Sequence, residues 1–267
     1  MNFEDCLVSA VNASVKAGNE ILNIYNDPDS DFSVEKKEDN SPVTIADKKA
    51  HQTILENLEN CGLPILSEEG IHSDYNQRQK WDYFFLVDPL DGTKEFIKKN
   101  GEFTVNIALI HKNIPISGVV YLPVLNLLYF AFKNQSYKIE NKELKNFNDI
   151  KEILSISEKI SPETKPENYT IIATRSHQND ELKKFIEDKK KVYNDLDIIS
   201  AGSSLKFCKI AEGSAHIYPR TGYTMEWDTA AGHAVCTGAG LKVKDFNTGK
   251  ELKYNKKNLK NPYFIVE

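Results

Sequence analysis

The sequence predicts two halves of different class, α+β over residues 1–145 and α/β over residues 146–267. Between Phe103 and Phe132, apolar residues alternate in short runs broken at Lys112-Asn113 and Pro123, the pattern of an antiparallel meander. From Tyr169 onward, strand-length apolar runs alternate with helix-length segments instead. Between them lies Asn141 to Asn168, the stretch richest in Lys, Glu, Asn and Pro, which is the expected boundary.

In chain order, Phe3, Leu7, Ala10, Ala17, Ile21 and Ile24 share one helical face, so Asn2 to Tyr25 reads as an amphipathic helix. Asp27-Pro28-Asp29-Ser30 stops it, and Val34 to Asn40 reads as charged loop. Thr44-Ile45-Ala46-Asp47 has capping-box spacing and opens a helix through Leu58, which Cys61-Gly62 ends. Spacing alone gives Asp47 only that capping role. Leu63 to Leu66 is a short strand ending in Glu68-Glu69, and Gly70 to Lys80 a polar loop.

Tyr83 to Val87 is an apolar run long enough for a buried strand and too short for an ordinary helix. It ends in Asp88-Pro89-Leu90-Asp91-Gly92-Thr93, read as a tight turn with Pro89 second and Gly92 tolerating the twist that follows. Lys94 to Ile97 is a first helical turn. The meander runs through Phe103–Ile110, Ile116–Leu122 and Leu127–Phe132, with Tyr137–Glu140 as a further strand. In the second half, strands are expected at Tyr169–Thr174, Leu196–Ser200, His216–Arg220, Leu241–Phe246 and Tyr263–Val266. Helices are expected at Asn179–Lys190, Ser203–Gly213 and Trp227–Gly238.

Composition excludes several function classes. Net charge is −5 and the lysines lie in scattered pairs, which argues against a nucleic-acid polymer as partner but not against a nucleotide. The N-terminus carries acids where a signal peptide needs basic residues. The longest apolar stretch, Val119 to Phe132, is interrupted by Pro123 and Asn126 and is too short for a transmembrane segment. Cys6, Cys61, Cys208 and Cys236 show no CxxC pairing, so reduced thiols in a cytoplasm are expected, with no zinc site.

The chemistry concentrates at two strand ends. Asp88 and Asp91, with the Leu90 carbonyl between them, put three oxygen donors on one short turn, a set suited to Mg²⁺. Glu68-Glu69 sits at the end of the other run, and the residues alone do not choose between these two glutamates. Carboxylates about 4 Å apart repel by roughly 4 kcal/mol per pair at moderate dielectric, so a shared cleft calls for cations. Free N–H groups at Gly92 and Thr93 would favour an anion beside them. Asp228 reads as the N-cap of Thr229–Ala234. Gly202-Ser203-Ser204-Leu205-Lys206 opens a helix and could cradle an anion, without P-loop spacing. Arg175-Ser176-His177 follows a strand end, where ligands of α/β sheets bind; no nucleophile elbow supports a hydrolase triad there.

Leu86 to Thr93 followed by KEFIKKNGEFTVNIALI, with Ser67-Glu68-Glu69 upstream and Trp227-Asp228-Thr229-Ala230-Ala231-Gly232 downstream, resembles the inositol monophosphatase superfamily. Pro42 to Asp47, Gly92 to Phe96 and Gly202 to Cys208 are similar to the bacterial 3'(2'),5'-bisphosphate nucleotidases of sulfate assimilation within it. The resemblance covers nearly the whole chain and is weakest at Gly70–Lys80 and Asn141–Asn168. It implies a layered αβαβα sandwich of the sugar-phosphatase type. It also implies Mg²⁺-dependent, Li⁺-sensitive removal of the 3'-phosphate from 3'-phosphoadenosine 5'-phosphate, and from its phosphosulfate, to give AMP and phosphate.

By the same resemblance, two or three Mg²⁺ ions would be held by Glu68, Asp88, the Leu90 carbonyl, Asp91 and Asp228. Asp47 and Thr93 would orient the attacking water with Glu68, which overturns the capping-only reading of Asp47. His177, Ser203, Lys206 and Arg220 would lie near the nucleotide, and Glu68, Leu90, Asp91, Gly92, Thr93 and Asp228 would also contact the substrate. The expected partner is a small-molecule nucleotide. Monomer or homodimer stays open, as does loose association with the cytoplasmic face of the inner membrane. Other readings are an inositol monophosphatase, a fructose bisphosphatase-like enzyme, or a metal- and nucleotide-binding sensor without turnover.

Overall fold

A computed structural model describes residues 2–30, 32–36, 42–163, 166–174 and 179–267, with only the backbone of Lys36. Helix α1 (Phe3–Tyr25) starts at Asn2, whose side chain accepts from the Glu4 N–H. Strands β1 (Glu35–Lys36) and β2 (Pro42–Val43) pair antiparallel and lead into α2 (Ile45–Leu58), which opens with the expected capping box. After β3 (Ile65–Ser67), one helical turn, α3 (Tyr75–Arg78), stands where a loop is expected. Asp74 caps that turn, and the buried Arg78 holds it against the chain around Asn255.

Next come β4 (Tyr83–Asp91), α4 (Thr93–Ile97), β5 (Thr104–His111), β6 (Ile114–Leu122), β7 (Leu127–Phe132) and β8 (Gln135–Glu140). Helix α5 (Ile150–Ser155) and β9 (Glu158–Ile160) lie inside the stretch expected as a boundary, and β9 pairs with β8. One sheet of seven strands results, in the order β3-β4-β5-β6-β7-β8-β9. Its structure therefore continues past residue 146, and the chain leaves it only after Ile160.

The remaining elements are β10 (Tyr169–Ala173), α6 (Asp180–Lys190), β11 (Leu196–Ser200), α7 (Leu205–Ala211), β12 (Tyr218–Arg220), α8 (Ala230–Gly238), β13 (Val243–Asp245) and β14 (Phe264–Val266). Strands β10 and β11 run parallel, β14 lies antiparallel between β12 and β13, and a bridge at Ile171–Ile217 links the two sets.

Side-chain alternation sets the layers. In β4, Phe85 and Val87 face a core built with α1 and α2, while Phe84 and Leu86 face one built with α7 and α8. A strand buried on both faces explains the continuous apolar run. In β10, Ile172 joins the α7/α8 core, whereas Ile171 and Ala173 pack with Leu182 and Ile186 of α6. The order is helix, sheet, helix, sheet, helix, the five layers that the resemblance implies. Helix α8 lies so close to β6 that a Cβ on Gly118 would come within 2.6 Å of the Ala231 carbonyl oxygen.

The DPLD segment differs from the expected tight turn. Asp88 pairs with Asn106 and Asp91 with Thr104, so three steps on β4 match two on β5. This is a β-bulge. Pro89 has no N–H to give a ladder and is tolerated at such a site. In a regular strand, residues three apart point to opposite faces. The extra residue instead turns Asp88 and Asp91 to the same face. The strand then ends at Gly92, whose φ of 97° is left-handed, and where a Cβ would collide with Ser203 Oγ.

Candidate metal centre and substrate cavity

Strands β3 and β4 run parallel with Ser67 opposite Val87, so Glu68 emerges beside Asp88. Asp228 comes from the segment leading into α8, which the Gly118 contact presses against the sheet. Glu68, Asp88 and Asp228 thus offer carboxylate oxygens that all lie within 4.8 Å of one another. Glu69, by contrast, acts electrostatically on Asp47 and His51. Geometry thus groups Glu68 with Asp88 and Asp228.

Asp88 accepts from the Leu90 N–H through Oδ1 at 3.1 Å, but no donor among the described residues reaches its buried Oδ2. Burial, and then the charges of Glu68, Asp91 and Asp228, push the Asp88 carboxyl well above its ordinary range. Asp228 is pushed up by burial and by Asp91 and Glu68. Asp91 is raised by burial and pulled back by Lys206. An orphaned carboxylate oxygen among mutually repelling acids fits a hard divalent cation, for which these are the preferred donors.

Asp228 is not the N-cap of α8. That position is Thr229, and the Asp228 carboxylate instead accepts from the Met225 N–H at 2.8 Å. Asp47 both caps and reaches outward: Oδ2 accepts from the Thr44 N–H and hydroxyl, while Oδ1 accepts from Thr93 Oγ1 at 3.0 Å. Burial raises Asp47 to about 6, against the lowering effect of the Thr44 bonds. Thr93 Oγ1 lies 3.5 Å from the Leu90 carbonyl, which ties this pair to the bulge.

A cavity of about 420 Å³ opens beside these groups, and Asp91, Gly92, Asp228, Ser203, Lys206 and Arg220 are among the residues that line it. Ser203, at φ 43°, bridges the Asp91 and Glu102 carbonyls with its hydroxyl, at 2.9 Å from each. Ser204 donates to the Asp228 carbonyl at 2.9 Å. These two serines join the segments that carry Asp91 and Asp228. Lys206 is buried and gives two N–H groups to the Ala201 and Ser203 carbonyls, at 3.1 and 2.8 Å. Burial, and then Arg220, lower its pKa to about 8. Arg220 is half-buried; its Nη2 makes a long 3.4 Å contact to the Tyr223 carbonyl, and its buried Nε has no partner among the described residues. His177 lies outside the described residues.

The sequence reading missed a polar frame behind Asp228. Glu226 is fully buried and accepts from the Asn255 and Lys256 N–H groups and from Lys256 Nζ. Asn255 exchanges hydrogen bonds with Arg78 of α3. Asn261 donates to the Met225 carbonyl at 2.8 Å and to Thr229 Oγ1 at 2.9 Å. Nothing local in Met225-Glu226-Trp227-Asp228 marks Glu226 as gripping a loop some thirty residues away.

A sequence model of the inositol monophosphatase family matches residues 3–263. The 3'(2'),5'-bisphosphate nucleotidase CysQ of Salmonella typhimurium is 42% identical over 253 residues, 94% of each chain. A crystal structure of CysQ from Bacteroides thetaiotaomicron, a bacterial member of the inositol monophosphatase family, superposes with a TM-score of 0.91 at 46% identity. It covers 99% of this chain and 97% of that one. An inositol monophosphatase from Thermotoga maritima shares the fold at 24% identity, with a TM-score of 0.69 over 96% of this chain and 89% of that one.

Proposed function

The chain belongs to the inositol monophosphatase family, and from that premise we propose that it is a Mg²⁺-dependent 3'(2'),5'-bisphosphate nucleotidase. It removes the 3'-phosphate of 3'-phosphoadenosine 5'-phosphate, giving AMP and phosphate, and acts also on the phosphosulfate. Within the family, the likeness to CysQ nucleotidases over 94% of both chains selects this substrate. One feature of the cavity supports it most directly: its lining combines Asp91 and Asp228 of the acidic centre with the cations Lys206 and Arg220. A substrate with two phosphates, one held through metal and one by a cation, matches that combination.

In this reading, Glu68, Asp88, the Leu90 carbonyl, Asp91 and Asp228 hold two or three Mg²⁺ ions. When bound, these ions supply an activated water and charge stabilisation at the leaving ribose oxygen. Thr93 donates to Asp47, so its remaining lone pairs face outward to accept from a water. Asp47, raised to about 6 by burial, is a stronger base than an ordinary aspartate and suits removal of the proton that the water gives up. Glu68 orients that water from the other side. Gly92 and Thr93 offer N–H groups to the scissile phosphate, although α4 has only five residues and its dipole adds little. Ser203, Lys206, Arg220 and His177 are assigned to the nucleotide side. The reading includes a cytoplasmic location and a free nucleotide as substrate.

The experiment is phosphate release from 3'-phosphoadenosine 5'-phosphate, inositol 1-phosphate and fructose 1,6-bisphosphate, with Mg²⁺ and with chelator. The bisphosphate nucleotide should be turned over fastest, and only with Mg²⁺. A preference for either sugar phosphate would refute the substrate assignment.

A further inference from the structure

Asn106 stands on β5 opposite Asp88, and Thr104 stands opposite Asp91. Opposed residues of an antiparallel pair point to the same face, about 5 Å apart at Cβ. The two aspartates that the bulge turns to one side therefore stand beside Asn106 and Thr104. Asn106 is 1% exposed, yet neither its amide nitrogen nor its carbonyl oxygen has a hydrogen-bond partner among the described residues. The buried Thr104 hydroxyl and Asp88 Oδ2 are unpartnered as well.

Four orphaned atoms on one buried patch are costly, because each has given up water without replacement. The same face of β5 continues as Ala108 and Ile110, which pack in an apolar core. Apolar residues would serve the fold equally well at 104 and 106. Asn106 faces Asp88 directly across the ladder, and the next residue of its face, Thr104, faces Asp91. The chemistry of Asn106 suits the place: a neutral donor can fix a carboxylate without adding repulsion, as an acid would, or competing with a cation, as a lysine would.

We propose that Asn106 is a positioning residue of the metal centre, whose amide N–H groups close onto the Asp91 and Asp88 carboxylates in the cation-loaded enzyme. It thereby aims their remaining lone pairs at the ions, with Thr104 supporting Asp91. This rests on the metal reading proposed above and deepens it. The orphaned polar atoms are then the cost of a preorganised second layer of contacts, of the kind that tunes metal affinity.

The test is Asn106→Leu, nearly isosteric and without polar atoms, with Asn106→Ala as a second variant should the first fold poorly. Mn²⁺ binding is measured by calorimetry, the Mg²⁺ midpoint by phosphate release, and melting temperature in chelator. The variant should melt at or above the wild-type temperature without metal. Its Mn²⁺ affinity should fall, and its Mg²⁺ midpoint rise, by about tenfold or more, with little change in KM at saturating Mg²⁺. Unchanged Mn²⁺ affinity overturns the inference. So does a lost affinity that merely accompanies a lower melting temperature in both variants. Wild-type protein that binds no Mn²⁺ would instead refute the metal reading itself.

Discussion

Thr93 Oγ1 lies 3.0 Å from Asp47 Oδ1, while the other oxygen of the same carboxylate accepts from the Thr44 N–H at 2.8 Å and hydroxyl at 2.6 Å. One aspartate thus caps α2 and fixes a threonine at the start of α4. The capping bonds lock the Asp47 rotamer, so the cap serves the site rather than competing with it.

Thr93→Val removes the hydroxyl and keeps the shape of the side chain. If the pair orients and deprotonates a water, kcat should fall by about 10²–10⁴ with KM little changed. Steady-state kinetics on the bisphosphate would decide, with circular dichroism to confirm the fold. A change confined to KM would place Thr93 in ground-state binding only.

This dual role marks the limit of what the sequence makes legible. The capping box is local, so Thr44 and Asp47 disclose it within four residues. The Thr93 contact spans 46 positions and enters only through the family resemblance. Asp228 shows the converse: its spacing fits an N-cap, but the loop accepts the Met225 N–H with that carboxylate and leaves Thr229 as the cap. The bulge at Pro89 is legible only in part. Proline argues against a regular ladder, yet the common face of Asp88 and Asp91 depends on the register of β5. Arg78, 177 residues from Asn255, lies beyond any reading of local pattern.

Stability without metal should depend on pH in a definite direction. Asp47 is raised from 3.8 to about 6, and Asp88 and Asp228 are raised well above the usual range. Through that window the folded form binds more protons than the unfolded form, so stability is highest at acid pH and falls as pH rises. For Asp47 alone the change amounts to about 3 kcal/mol. Melting temperatures in chelator should decline from about pH 4 to pH 7, and Mg²⁺ should reverse the decline. Asp47→Asn should flatten the slope. A melting temperature that climbs over this range in chelator would contradict it.

Glu226 accepts three hydrogen bonds from Asn255 and Lys256 while fully buried. Glu226→Gln leaves Lys256 without its charged partner and turns an acceptor into a donor facing backbone N–H groups. A loss of about 2–3 kcal/mol is expected, or roughly 5–10 °C in melting temperature for a chain of this size. Because Glu226 lies two residues before Asp228, the Mg²⁺ midpoint should rise as well. Thermal melts and Mg²⁺ titrations of the variant test both parts. A melting temperature within a degree of wild type would show that the frame is not under load.

Arg220 and Lys206 both border the cavity, but their hydrogen bonds give them different expected phenotypes. Lys206 holds the Ala201 and Ser203 carbonyls, and Ser203 in turn holds the Asp91 carbonyl. Lys206→Met should therefore disturb the backbone behind the metal centre. It should lower kcat on the bisphosphate and on 3'-adenosine monophosphate alike. Among the described residues Arg220 makes no such bonds to the centre, and its Nε has no partner. A guanidinium bonded to the second phosphate contributes about 1.5–3 kcal/mol. Arg220→Ala should then raise KM for the bisphosphate about ten- to a hundredfold, while activity on the monophosphate barely changes. Kinetics of both variants on both substrates separate the two roles. Equal losses on both substrates for Arg220→Ala would assign it to the frame of the cavity and place recognition of the second phosphate elsewhere.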